Sequence, residues 1–386
     1  MGRIARLRLL RDIDIPQAPS ETSHMNSQAS MQTLYDTPEP DLLGQITHLR
    51  AEIGDEVLIL GHHYQREEVI GFADITGDSL KLAQQAAKTD APYIIFCGVH
   101  FMAETADILT SDEQTVILPD LAAGCSMADM ADEEQVDRCW SELGELLQPE
   151  EVVTPVTYIN STAALKAFCG EHGGIVCTSS NARRIMEWAW SNREKILFFP
   201  DQHLGENTAM AMGIPEDDII FWNPAQSLGG NTPEAIAKAR LILWKGFCSV
   251  HQLFKPEHAE SMRQDHPGIE ILAHPECSRA VCETADFVGS TEAIIRHVEQ
   301  SAAGQAFAIG TELNLVNRLR LKHPEHPIYF LSPTVCMCST MFRTDPQHLY
   351  TALLGISEGN VNNQIKVPDA DRPWARLSLD RMLNLG

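Results

Sequence analysis

The chain has 386 residues, 44% hydrophobic and 21% charged, an ordinary globular composition that excludes overall disorder and suggests two or three domains. No apolar run approaches the roughly 20 residues that cross a bilayer as a helix, which excludes a membrane protein of that kind. Lys plus Arg number 29 against 53 Asp plus Glu, a formal charge of −24. So acidic a chain has no electrostatic footprint for nucleic acid, and it must hold any anionic substrate through local groups rather than its overall field.

Residues 1–14 are basic and leucine-rich but lack the long apolar core and small-residue cleavage site of a secretory signal. Residues 15–35 are rich in Ser, Gln, Thr and Met. Together 1–40 read as a flexible N-terminal extension, with ordered sequence expected from Asp41. Ten cysteines follow, at 97, 125, 139, 169, 177, 248, 277, 282, 336 and 338. A reducing cytoplasm is the expected compartment, with the cysteines as thiols, metal ligands or catalytic groups rather than disulfides.

Strand-like runs at 57–60, 93–96, 196–199 and 269–272 alternate with helix-like stretches such as 78–89 and 291–303. That alternation predicts an α/β fold of parallel sheets with helices on both faces. A repeat also emerges. Leu118, Leu241 and Leu331 each lie 7 residues before a cysteine, Cys125, Cys248 and Cys338. Upstream, strand-like runs end in polar pairs two apart: His62 and Tyr64, Tyr158 and Asn160, His274 and Glu276. His62 precedes Cys125 by 63 residues and His274 precedes Cys338 by 64, whereas Tyr158 precedes Cys248 by 90, an insertion of roughly 26. Small hydroxyl-bearing turns follow each pair, at Ser79, Ser179 and Thr291. The reading is three similar αβα domains around a pseudo-threefold axis: 41–125 as repeat 1, with 361–386 packing on it, 126–250 as repeat 2 with the insertion, and 251–360 as repeat 3.

Three constellations carry chemistry. One cysteine per repeat after equivalent strands would bring Cys125, Cys248 and Cys338 to one point. Three soft ligands suit an iron–sulfur cluster or zinc, although a single buried cysteine is ordinarily a small hydrophobe. Cys336 is the rival to Cys338, and the spacing favours Cys338. The polar pairs sit at strand ends, where parallel sheets place ligands. The hydroxyl turns are ordinary helix caps, and the same geometry binds phosphate or carboxylate through free N–H groups. The acidic stretch 129–151 reads as a solvated helix. The segment 96–106 ends a strand and starts a helix, and it either lines a site or fills core.

The phrases His62-His63-Tyr64-Gln65, 96–106, Gly124-Cys125-Ser126-Met127-Ala128, Tyr158-Ile159-Asn160-Ser161, Cys177-Thr178-Ser179-Ser180-Asn181-Ala182, Pro200-Asp201-Gln202-His203-Leu204-Gly205, Gly246-Phe247-Cys248, His274-Pro275-Glu276-Cys277 and Cys338-x-x-Met resemble the quinolinate synthase (quinolinate synthetase A) family. The resemblance spans about 41–384. It implies a transferase of NAD biosynthesis that condenses iminoaspartate with dihydroxyacetone phosphate to quinolinate, phosphate and water. It implies a [4Fe–4S] cluster held by Cys125, Cys248 and Cys338. Substrate contacts map to His62, Ser79, Tyr158, Asn160, Ser179, His274, Glu276 and Thr291. Glu276 is expected as the leading acid or base, with Tyr64 and His62 assisting and Tyr158 orienting the intermediate. L-aspartate oxidase as the iminoaspartate source and the iron–sulfur assembly machinery are the expected partners. An iron–sulfur hydro-lyase and a redox sensor are the alternatives.

Overall fold

The computed structural model describes residues 40–335 and 337–385, so residues 1–39 of the extension expected over 1–40 and the rival Cys336 lie outside the described residues. Strands β1 (Val57–His62), β2 (Ile75–Gly77), β3 (Tyr93–Cys97) and β4 (Thr115–Ile117) come first. Next are β5 (Val153–Tyr158), β6 (Ile175–Cys177), β7 (Lys195–Phe199), β8 (Ile219–Trp222) and β9 (Leu241–Trp244). The last are β10 (Glu270–Ala273), β11 (Phe287–Val288), β12 (Phe307–Gly310), β13 (Ile328–Phe330) and β14 (Gln364–Ile365).

Among the described residues these strands form three sheets, ordered β14-β4-β3-β1-β2, β6-β5-β7-β9-β8 and β11-β10-β12-β13. Every pairing is parallel except β14 against β4. One order recurs in all three, with the first strand between the second and third and the next strand beyond the third. The register recurs as well: His62 pairs with Gly77, Tyr158 with Cys177 and Ala273 with Val288. The chain is therefore an α/β protein of three like-wound sheets. In the middle sheet β8 is an added edge strand beside β9, and the helix Pro233–Lys238 follows it, which locates the extra length there.

Central strands are buried on both faces, so they read as continuous apolar runs rather than alternating ones; β3 is Tyr-Ile-Ile-Phe-Cys and β7 is Lys-Ile-Leu-Phe-Phe. The lysine that opens β7 spends its charge on the carbonyls of Ala237 and Ala239, each 2.6 Å from Nζ. The acidic stretch 129–151 contains the helix Glu133–Gly144, which is solvated on one face only; Val136, Cys139, Trp140 and Leu143 are buried. The C-terminal helix Arg372–Leu385 packs on the helix Ala163–Glu171 so tightly that a Cβ on Gly170 would lie 1.9 Å from the Trp374 carbonyl oxygen. No helix among the described residues is long and apolar enough to cross a membrane.

The seven-residue spacing before the cysteines has a different meaning in the middle repeat. Leu118 and Leu331 follow β4 and β13 directly, whereas Leu241 opens β9. The strand there runs further and the loop to Cys248 is correspondingly shorter.

Candidate active site

A single cavity opens where the carboxyl ends of the three sheets meet, and all twelve residues expected from the sequence line it. β1 and β5 end on His62 and Tyr158, and His274 directly follows β10. His62 and His274 are built alike. In each, the ring Nδ1 accepts the backbone N–H two residues on, of Tyr64 at 3.2 Å and of Glu276 at 3.3 Å. That bond places the ring proton on Nε2. Burial pushes both imidazoles down to about 3, so they are neutral N–H donors at physiological pH. Tyr64 and Tyr158 are pushed well above the usual phenol range, first by burial and then by the Glu276 charge. Both stay protonated.

Glu276 is the hub. Tyr158 donates to its Oε1 at 2.5 Å, and His251 Nδ1 lies 2.9 Å from its Oε2. Burial alone would raise this carboxyl; the adjacent His251, with the Tyr158 hydroxyl assisting, outweighs it and holds Glu276 ionised. Thr311 Oγ1 ties the set together, 2.9 Å from the Tyr64 hydroxyl and 3.4 Å from His251 Nε2.

The three hydroxyl turns converge at helix N-termini. Ser79 and Thr291 open the helices Ser79–Ala86 and Thr291–Gln300, whose caps Asp78 and Ser290 accept the N–H of Lys81 and Ala293. Ser179 departs from this pattern. It precedes the cap position Asn181, whose side chain accepts the Thr178 N–H instead of capping the helix Ala182–Asn192. Ser180 bridges the three turns through bonds to Asp78 and, at 2.9 Å, to Ser290 Oγ. No lysine or arginine is among the residues lining the cavity, so apart from the carboxyl groups of Asp78 and Glu276 an anion there meets backbone N–H groups, hydroxyls and neutral imidazoles.

The cysteines share one local structure. Each is followed three residues on by a short 3₁₀ turn, Ala128–Met130, His251–Leu253 and Met341–Arg343. Each carbonyl accepts the N–H four residues on, at 3.1 Å for Cys125, 3.1 Å for Cys248 and 2.9 Å for Cys338. Each sulfur accepts at least one backbone N–H from its own turn: Met127 and Ala128, His251, or Thr340 and Met341. Burial pushes all three thiols up, Cys125 to about 12; the neighbouring Cys338 thiol adds to the rise at Cys125, Glu276 and then the other two thiols at Cys248, and Glu312 at Cys338. Three thiolates together here need a compensating cation, while their N–H donors suit sulfur anions. The donor set therefore fits a cationic iron–sulfur centre.

His251, Thr311, Asp201 and Glu312 were not singled out from the sequence as site residues. His251 carried a signal in the Cys248-x-x-His251 spacing. Asp201 and Glu312 both cap a helix after a third strand, Asp201 through the N–H of His203 and Leu204, Glu312 through those of Asn314 and Leu315. Of the 96–106 segment, Val99, Phe101 and Met102 line the cavity.

Residues 44–384 match the family described as NadA, quinolinate synthetase A protein. The chain is 54% identical over 362 residues to a quinolinate synthase of Rhodopirellula baltica, covering 90% of this chain and 92% of that protein. It is 56% identical over 351 residues to one of Acidobacterium capsulatum (90% and 94%) and 51% identical over 384 residues to one of a Nocardioides species (96% and 97%).

Proposed function

The chain belongs to the quinolinate synthetase A family, and from that membership we propose that it is a quinolinate synthase. It joins iminoaspartate to dihydroxyacetone phosphate and releases quinolinate, phosphate and water, with L-aspartate oxidase as the source of iminoaspartate. The observation that carries this reading is the single cavity in which three like-cradled cysteines face three strand-end polar pairs with no basic side chain in the lining. Both substrates are anionic, and such a lining binds anions without a permanent counter-charge.

Cys125, Cys248 and Cys338 would hold a [4Fe–4S] cluster, installed by the iron–sulfur assembly machinery, and the iron left without a thiolate supplies Lewis-acid chemistry when bound. The chain's own residues supply the rest. The helix N-termini behind Ser79, Ser179 and Thr291 hold carboxylates and phosphate. His62 and His274 donate from Nε2 to substrate oxygens. Asn160 Oδ1, buried without a partner, is free to accept from a substrate N–H or O–H. Glu276, ionised in the resting chain, takes a proton at its carboxylate as the ring closes, and Tyr158 shares that charge. Tyr64 and His62 serve the isomerisation and phosphate departure.

The test is anaerobic reconstitution of the full chain with iron and sulfide, followed by assay of quinolinate from iminoaspartate and dihydroxyacetone phosphate. Product at turnover rates is expected. Cys125→Ser, Cys248→Ser and Cys338→Ser should each lose visible cluster absorbance and product, while Cys277→Ser and Cys336→Ser keep both. A loaded enzyme that makes no quinolinate but dehydrates a hydroxy acid would replace this reading with a hydro-lyase.

A further inference from the structure

Cys248, His251 and Glu276 differ from the three-cysteine set in chemistry and in spacing. One ligand atom from each, a thiol sulfur, an imidazole nitrogen and a carboxylate oxygen, lie within 4.8 Å of one another. The 3₁₀ turn that follows Cys248 opens on His251, three residues on, which keeps the two side chains close along the chain. His251 is fully buried, and its Nδ1 has no hydrogen-bond partner despite lying 2.9 Å from Glu276 Oε2. The buried imidazole thus sits beside the carboxylate, in the same close group as the Cys248 sulfur.

The surroundings orient the donors. His251 Nε2 meets Thr311 Oγ1 at 3.4 Å, and the His251 ring stacks on His274 with centroids 4.7 Å apart. The Tyr158 hydroxyl holds the other oxygen of Glu276. An outer hydrogen bond on the far side of a histidine and of a carboxylate is the usual support of ligands in a metal site. The charges also close: one thiolate and one carboxylate balance a divalent cation, with a neutral imidazole as third donor. Sulfur, nitrogen and oxygen in this proportion suit zinc.

We infer that Cys248, His251 and Glu276 form a mononuclear zinc site in the chain when it lacks its cluster. The site rests on the proposed function only in that Cys248 is also assigned to the cluster. One sulfur cannot serve both, so zinc and cluster exclude each other, and zinc-loaded chain cannot be reconstituted until the zinc is removed.

The experiment titrates cluster-free full-length chain with Co²⁺ as the spectroscopic probe for zinc. One equivalent should give thiolate-to-cobalt charge transfer and the visible bands of a four-coordinate site. His251→Gln and Glu276→Gln should each weaken binding about tenfold or more, Cys248→Ser should abolish the charge-transfer band, and Cys125→Ser and Cys338→Ser should stay within about twofold of the parent. X-ray absorption of the zinc-loaded parent, which needs no variant to fold, should find one sulfur ligand. Three sulfurs, or equal loss in all three cysteine variants, would put the metal on the cysteine set and overturn the inference, as would absence of binding. None of these readouts depends on quinolinate formation, so the inference and the proposed activity fail separately.

Discussion

Glu276 touches two of the cavity's other working side chains, and its charge state decides what it can do. Ionised by His251 and Tyr158 against the opposing pull of burial, it begins as an acceptor and can act first as a base. The sequence had left base or acid open. Glu276→Gln keeps size and polarity but removes the proton acceptor. With iron content verified as unchanged, turnover should fall on the order of 10²-fold or more while a dicarboxylate still perturbs the cluster spectrum. Near-normal turnover would shift the proton to Tyr64 or His62.

At the scale of elements, the repeat extends to supports that carry no chemistry. The Ile59 N–H donates to Asp74 at 2.7 Å and Arg50 pairs with that carboxylate at 2.9 Å. Ile271, Asp286 and Arg263 reproduce the arrangement in the third repeat at 2.8 and 2.9 Å. The Cys248 turn is positioned differently, by close backbone approach. A Cβ on Gly246 would lie 2.3 Å from the Pro200 carbonyl oxygen and 3.2 Å from Met130 Cβ. Because the first of these is backbone, the loop itself must move. Gly246→Ala should cost about 1–3 kcal/mol of stability and lower the iron retained per chain after reconstitution. Thermal unfolding and iron analysis check it; full iron content would mean that the turn tolerates the shift.

Across the molecule, the first and third repeats are joined at the surface by Glu292. His63 Nε2 lies 2.9 Å and Lys81 Nζ 3.6 Å from its carboxylate. The His63 hydrogen bond, with Lys81 assisting, lowers Glu292 to about 2 against the pull of burial. A carboxyl lowered on folding adds stability that is complete above its unfolded value near 4.5 and is lost as pH falls toward 2. Screening at this partly exposed site reduces the contribution to about 1–2 kcal/mol. Glu292→Gln should therefore be less stable than the parent at pH 7, and the gap should close with acid, as denaturant titrations at several pH values would show. A gap independent of pH would mean that the pair contributes shape rather than charge. His62 and His274 act on parent and variant alike. Held neutral down to about 3, they oppose folding once the unfolded imidazoles gain protons below about 6.5, so both proteins lose stability through that window.

Much of this protein was legible in the chain because a threefold repeat writes the same instruction three times. Apolar runs buried on both faces announce parallel strands, and polar pairs at their ends, with one cysteine downstream, mark residues that line the cavity. Local chemistry sufficed there, since strand ends and helix starts bind ligands wherever they occur. Tertiary structure decided what depends on distances between repeats. His251 became a neighbour of Glu276 only when the turn after Cys248 folded against the end of β10, and Thr311 became the link between Tyr64 and His251 only when the third repeat met the first. The shorter loop before Cys248 escaped the residue count because spacing along a chain does not say where a strand stops. The ionised state of Glu276 was equally out of reach, for a carboxylate's pKa is set by the burial and charges that folding places around it.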